Sequence, residues 1–273
     1  MKTLILCGGK GTRAYPHTLE VPKPLLEVGG RPVLAHVMEI YARQGFCDFV
    51  LAAGFKADLV EVFAETVRGD WRVEVVDTGE ETNTGGRVAR CAPRMGDTFF
   101  VTYADGLGDV DLHGLLDFHR GHRGTATLTT VPLPSQYGTV ECDGGSRVSH
   151  FVEKPKLPDH CINAGYFVFD RDAERFFVGD DLEREFLPAL ASAGELFAYR
   201  HDGFWRSMDT YKDALELTGL CRGDAPPWFG ARGAEGPGPS GEIQAVEAAE
   251  AAEAVGAAEA VGAAEVISAA GLR

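Results

Sequence analysis

The stretch Thr3-Leu4-Ile5-Leu6-Cys7-Gly8-Gly9-Lys10-Gly11-Thr12-Arg13, with Lys23-Pro24 after nine further residues, decides the fold. The apolar run Thr3 to Leu6 reads as a short buried strand that ends in a turn only glycines suit. Gly8, Gly9 and Gly11 carry no Cβ, so backbone N–H groups can curl around an anion and a flat base can lie against the loop. Arg13 and Lys23 bring two fixed cations to the same loop, as a triphosphate requires. With Leu6, Thr12 and, from a later strand, Tyr103, these residues form a candidate nucleotide site. The bland alternative is a glycine-rich turn with two solvated cations.

The same letters also fit the loosest dinucleotide fingerprint, Gly9-x-Gly11-x-x-Ala14. That fingerprint expects a helix straight after the glycines and an acid at the end of the next strand. Here Pro16, Pro22 and Pro24 forbid a continuous helix, and Phe49-Val50-Leu51-Ala52-Ala53-Gly54 ends without an acid. A Walker loop is excluded because no Gly-Lys-Ser/Thr closes the glycines.

Outward from the loop, strand-like and helix-like patterns alternate. Pro32 opens a helix to Gln44 with Val33, Val37, Ile40 and Tyr41 on one face and Gly45 as its stop. A strand at Phe49 to Ala53 and a helix at Ala57 to Val67 follow, then strands at Arg72 to Val76 and Thr98 to Tyr103. This alternation predicts an α/β, Rossmann-like, doubly wound sheet, mostly parallel, with ligands beyond the carboxyl ends of the strands. The second half adds strands at Thr125 to Val131, Gly138 to Cys142, Arg147 to Phe151, Ile162 to Phe169 and Leu196 to Tyr199. Two of these, joined by Asp143-Gly144-Gly145, make a small additional β region. A helix from Asp209 to Leu220 closes the folded part.

Beyond Trp228 the composition changes. Residues 229–273 are Gly/Pro-rich and then nearly all Ala, Glu, Val and Gly, with the hexad from Glu253 repeated at Glu259. Without an aromatic residue after Phe229 this segment cannot build a core, and it is expected to be a disordered acidic tail.

The net charge of −15 argues against a nucleic-acid or membrane-surface partner. No apolar stretch approaches the ~20 residues of a membrane span. The cysteines are scattered without Cys-x-x-Cys, which speaks for reduced thiols in a cytoplasm rather than for zinc or disulfides.

Candidate chemistry lies at several points. Asp105, in Tyr103-Ala104-Asp105-Gly106, ends an apolar strand and is placed to hold Mg²⁺ against phosphates, or to serve only as a turn acid. Asp209 is a second candidate for the same ion, or a helix N-cap. Lys154 offers a cation for a second phosphate, Glu153 and Asn163 offer partners for sugar hydroxyls, and Gly165 leaves room for a ring. Thr84-Gly85-Gly86-Arg87 reads as a loop that contacts a base or phosphate. His113, His119 and His122 lie on one polar helical stretch and read as solvated surface. No serine or cysteine stands in a nucleophile's context.

These pieces, in this order, resemble the sugar-1-phosphate nucleotidyltransferases. Val76-Asp77-Thr78-Gly79, Thr84-Gly85-Gly86-Arg87, Tyr103-x-Asp105-Gly106 and Gly203-Phe204-Trp205 through Met208-Asp209-Thr210 look most like the glucose-1-phosphate cytidylyltransferases. The resemblance spans about residues 1–228. It implies a nucleotide-binding part near 1–110 and a sugar-binding part near 111–228. It also implies that Gly8, Gly9, Gly85, Gly86 and Arg87 contact cytosine, and that Arg13 and Lys23 hold the triphosphate. Asp105 and Asp209 would hold Mg²⁺, Lys154 the sugar phosphate, and Glu153, Asn163 and Gly165 the hexose. The implied substrates are CTP and glucose 1-phosphate, and the implied state is a homo-oligomer. One departure is visible: family members carry an insertion, which contributes to subunit contacts, where here only Arg68 to Val75 intervene. Two rivals remain, the same chemistry with another base or acceptor (dTTP, UTP, a cyclitol, a phosphonate) and a non-catalytic nucleotide-sugar sensor.

Overall fold

A seven-stranded sheet is built from β1 (Lys2–Leu6), β2 (Asp48–Ala53), β3 (Arg72–Asp77), β4 (Thr98–Tyr103), β5 (Ala126–Pro134), β6 (Lys156–Asp170) and β7 (Leu196–Arg200). Their order across the sheet is β7-β5-β6-β4-β1-β2-β3. In this computed structural model residues 1–223 and 225–230 are described, so the expected Ala/Glu-rich tail lies, from residue 231 on, outside the described residues. Neighbouring strands run parallel except β6, which is antiparallel to both β4 and β5. The exception has a local cause. β5 and β6 are joined without a crossover helix, and a return without one reverses the strand.

Side chains alternate across the sheet as the period of a strand requires. Ile5, Leu51 and Phe100 enter one core, while Leu4, Leu6, Val50 and Val101 enter the other. The helices are α1 (Val33–Ala42), α2 (Ala57–Thr66), α3 (Thr84–Cys91), α4 (Leu112–Gly121), α5 (Leu187–Ser192) and α6 (Tyr211–Leu220). α1, α2, α4 and α6 cover the first core; α3 and α5 cover the second. This is the doubly wound α/β architecture, with the glycine loop at the carboxyl end of β1 between β2 and β4.

Three local expectations are corrected. Thr84 to Arg87 is the first turn of α3, not a loop, because the Asn83 side chain accepts a hydrogen bond from Thr84 N at 2.9 Å and caps the helix. The last helix starts at Tyr211, two residues later than predicted. Thr210 is its cap, in a capping box with Asp213, which frees Asp209 from the capping role. His119 is buried rather than solvated. It continues the inner face Leu112, Leu115, Leu116 of α4, and its Nδ1 lies 2.8 Å from Thr127 Oγ1.

The strands Thr139–Cys142 and Val148–Val152 pair as a separate antiparallel ribbon on the surface. Asp143 holds their turn by accepting from Gly145 N at 2.9 Å and Arg147 N at 3.0 Å. At the end of the described chain Trp228 is buried against His36, and the Arg43 guanidinium lies 4.2 Å from the centre of the Phe229 ring. Among the described residues, no helix is long and apolar enough to cross a membrane.

Candidate active site

A cleft of about 900 Å³ opens along the carboxyl ends of β1 and β4. Its floor is the glycine loop. Gly11 needs its positive φ of 60°, and a Cβ there would lie 2.7 Å from the Lys23 side chain. Gly8 is shaped by a different neighbour: a Cβ would stand 2.0 Å from the Arg87 guanidinium. Gly9 is open to solvent, with nothing within 4 Å of the Cβ position. Cys7 also lines the cleft, but burial pushes its thiol well above the ordinary range, so it is no nucleophile.

The acids come from two distant segments. Asp105 follows β4, and Asp209 follows the short strand Trp205–Ser207, which pairs antiparallel with Gly106–Gly108. Met208 N donates to Asp105 O at 2.9 Å and locks the two segments together. Between the carboxylates sits Lys23, buried in a turn fixed by Pro22 and Pro24. Its ammonium lies 2.5 Å from Asp105 Oδ2 and 3.2 Å from Asp209 Oδ1. Arg13 reaches Asp209 Oδ1 at 3.0 Å. Burial by itself would push the Asp209 carboxyl up. Lys23, Arg13 and the Ser207 hydroxyl outweigh it and hold the carboxyl below the usual carboxylate range.

This donor set fits a single hard divalent ion. Two carboxylates converge on one cationic point, here the Lys23 ammonium. Among the described residues no group of three or more His, Cys, Asp and Glu could hold a metal. A site with two protein carboxylates leaves its other positions to phosphate oxygens and water, as Mg²⁺ prefers.

Of the residues singled out in the sequence, Leu6, Gly8, Gly9, Gly11, Arg13 and Lys23 line the cleft from the loop side. Thr84, Arg87, Tyr103, Asp105, Asn163 and Asp209 line it from elsewhere. Six others do not. Thr12 turns outward at the start of a 3₁₀ turn. Gly85 and Gly86 are glycine because the segment from Asp180 packs on them: a Cβ on Gly86 would lie 1.8 Å from Asp180 Oδ1. Gly165 has φ +80° and does accommodate a ring, but that ring is Tyr103, whose Cδ2 would be 2.3 Å from a Cβ. Glu153 and Lys154 are exposed on the turn between Val152 and β6.

Arg87 stands apart from the role the resemblance implies. It is buried, and its guanidinium donates to Ala53 O at 2.8 Å, Gly8 O at 2.8 Å, Gly79 O at 3.1 Å and Thr78 Oγ1 at 2.5 Å. It clamps the glycine loop to the ends of β2 and β3, and these partners engage both terminal nitrogens.

Other cleft residues make contacts that the sequence does not predict. Lys10 pairs with Glu80 at 3.0 Å and Glu81 at 2.7 Å, joining the glycine loop to the segment before α3. Trp205 Nε1 donates to Ala164 O at 2.8 Å. Glu183 receives hydrogen bonds from the hydroxyls of Thr84 and Tyr103. Burial, then the Glu183 carboxylate, pushes the Tyr103 phenol well above its ordinary range, so it stays a donor.

A glycine loop, two loop cations and two acids thus meet in one cleft at the carboxyl ends of a doubly wound sheet, where such sheets bind their ligands. The pattern of the nucleotidyl transferase family matches residues 2–216, and the chain belongs to that family, as an enzyme acting on sugar 1-phosphates. The chain is 37% identical over 255 residues to glucose-1-phosphate cytidylyltransferase of Salmonella typhi, across 84% of this chain and 98% of that protein. It is 36% identical over 232 residues to mannose-1-phosphate guanylyltransferase catalytic subunit beta of Danio rerio, across 81% of this chain and 64% of that one. Among solved structures, HddC from Yersinia pseudotuberculosis superimposes with a TM-score of 0.63 at 22% identity, covering 80% of this chain and 98% of that one, a likeness of fold.

Proposed function

We propose that this chain transfers the cytidylyl group of CTP to glucose 1-phosphate, giving CDP-glucose and pyrophosphate. The observation that carries the reading is the convergence of Arg13, Lys23, Asp105 and Asp209 at the glycine loop. The choice of base and sugar rests on the motifs and on a match that spans nearly the whole length of the Salmonella cytidylyltransferase.

A phosphate oxygen of glucose 1-phosphate attacks the α-phosphorus of CTP, its bond to the β-phosphate oxygen breaks, and pyrophosphate carries the electron pair away. The attacking phosphate is already ionised at neutral pH, so no general base is needed. Catalysis then rests on alignment and charge neutralisation. Arg13 and Lys23 would face the phosphates, and Asp105 and Asp209 would hold Mg²⁺, which would supply neutralisation of phosphate charge at the reacting centre. Tyr103 and Asn163 border the acceptor. The roles implied for Glu153 and Lys154 require their surface turn to move onto the cleft, while those of the four central residues require only that the Lys23 ammonium swing from between the two carboxylates toward the phosphates. Residues 1–110 would serve the nucleotide and 111–228 the sugar. We place the enzyme in the cytoplasm, where its free cysteines, two of them exposed, suit a reducing compartment. The family resemblance carries the proposal of a homo-oligomer.

The test is pyrophosphate release with Mg²⁺ and glucose 1-phosphate against CTP, dTTP, UTP, GTP and ATP in turn. Release with CTP alone is expected. Release with another nucleotide instead would discard the cytidylyl assignment, and silence with all five would discard glucose 1-phosphate as the acceptor.

A further inference from the structure

Glu183 belongs to none of the motifs, yet it lines the cleft within reach of both halves of the site. Thr84 Oγ1 accepts a hydrogen bond from Leu182 N at 3.1 Å and donates to Glu183 Oε2 at 2.7 Å. Tyr103 Oη accepts from Asn163 Nδ2 at 3.3 Å and donates to Glu183 Oε1. Each hydroxyl proton is thus aimed by an N–H group behind it, and each carboxylate oxygen is held by one hydroxyl. An ionised carboxylate has about four acceptor positions. Two are used to orient it, which leaves two for a donor in the cleft. Its charge repels phosphate, so the matching ligand group is a neutral donor. The Asn163 amide, one bond away through Tyr103, and the Trp205 indole, fixed on Ala164, stand beside the same cavity. A carboxylate, an amide and an indole edge together suit a polyhydroxylated ring, which offers hydroxyl donors and apolar C–H faces.

We propose that Glu183 is a sugar-selecting residue of this enzyme: its carboxylate accepts a hydrogen bond from one ring hydroxyl of the sugar 1-phosphate, held in place by Thr84 and Tyr103. The proposal rests on the reading of the acceptor as a sugar 1-phosphate. Losing one hydrogen bond to a charged group lowers the specificity constant by roughly 10- to 100-fold. An effect of that size belongs on kcat/KM for the sugar and not on the KM for nucleotide.

The experiment compares wild type with Glu183→Ala and Glu183→Gln on the sugar 1-phosphate that the wild type turns over and on its 2-, 3-, 4- and 6-deoxy analogues. Melting temperatures and nucleotide binding without sugar are measured alongside. The expected result is a roughly 10- to 100-fold loss with the intact sugar, no loss with the one analogue that lacks the partnered hydroxyl, and unchanged nucleotide binding. Glu183→Gln, which keeps an acceptor oxygen, should lie between wild type and Glu183→Ala. An equal loss on every analogue would show a structural role and overturn the proposal. A loss confined to nucleotide binding would assign Glu183 to the base or ribose and also overturn it. A wild type inert toward every sugar 1-phosphate would remove the underlying reading itself, and the wild-type control shows that before any variant is compared.

Discussion

Arg87 offers the sharpest division between what its motif implies and what the structure shows. If the guanidinium contacted cytosine, Arg87→Met would weaken CTP selectively and leave folding alone. In the structure the group is buried and donates to Gly8 O, Ala53 O, Gly79 O and Thr78 Oγ1. Hydrogen bonds of a charged donor contribute about 1.5–3 kcal/mol each. Gly8 O and Ala53 O keep other donors, Phe55 N and Thr78 N, so they are not orphaned by the change. Methionine also removes the cost of burying a cation, which offsets part of the loss. A net destabilisation of about 3–5 kcal/mol follows from these terms. For a domain of this size, that lowers the melting temperature by about 6–20 °C. Because the clamp fixes the glycine loop, the Kd for CTP and for any other nucleotide that binds should rise by a similar factor. The assay is thermal unfolding followed by circular dichroism, with the Kd for CTP and for UTP measured by equilibrium binding in both proteins. An unchanged melting temperature together with a loss confined to CTP would refute the clamp and restore the base contact.

Other expectations follow from the same geometry. Asp105→Asn and Asp209→Asn should each lower turnover by about two orders of magnitude or more, with the protein still folded by circular dichroism; near-wild-type rates would remove the acids from the centre. Gly165→Ala places a Cβ against the Tyr103 ring at a positive φ, and should cost about 2–4 kcal/mol of stability. It should also raise the KM for the sugar more than that for nucleotide, and a wild-type melting temperature would contradict this. His36 supplies a pH effect. Burial is the main cause holding its imidazole down to about 4, against an ordinary 6.5. Between those values the unfolded chain binds a proton that the native chain refuses, so stability should fall as pH drops through that window and level off below it. Melting curves from neutral to acid pH should show that slope in wild type and a smaller one in His36→Gln.

Much of the fold was legible because it rests on short-range pattern. The run Leu4-Ile5-Leu6, the stripe in α1 and the proline-bounded glycine loop each announce their element within a few residues. The antiparallel run of β6 inside a mostly parallel sheet follows from a missing crossover helix, which one strand's own sequence does not show. At the site, Asp105 and Asp209 were readable as a pair, but Lys23 as the cation between them was not, since it joins residues 82 and 186 positions away. The clamp made by Arg87 is hidden for a related reason. A charged residue beside two glycines looks like a ligand contact, and only the tertiary fold shows backbone carbonyls gathered from three segments around it. His119 sits at a helical spacing from Leu112, Leu115 and Leu116 that marks an inner face, but its polarity hides that pattern. Glu183 lies in an acidic run without periodicity, 99 residues from Thr84 and 80 from Tyr103, and only packing brings it to the cleft.

The most direct test of nucleotidyl transfer follows the label. The enzyme is incubated with Mg²⁺, glucose 1-phosphate and CTP carrying radioactive phosphorus at either the α or the γ position, and the products are separated. The account predicts α label in the sugar nucleotide and γ label in pyrophosphate. Label from the γ position on the sugar, or in free phosphate, would contradict it and point to a kinase or a hydrolase.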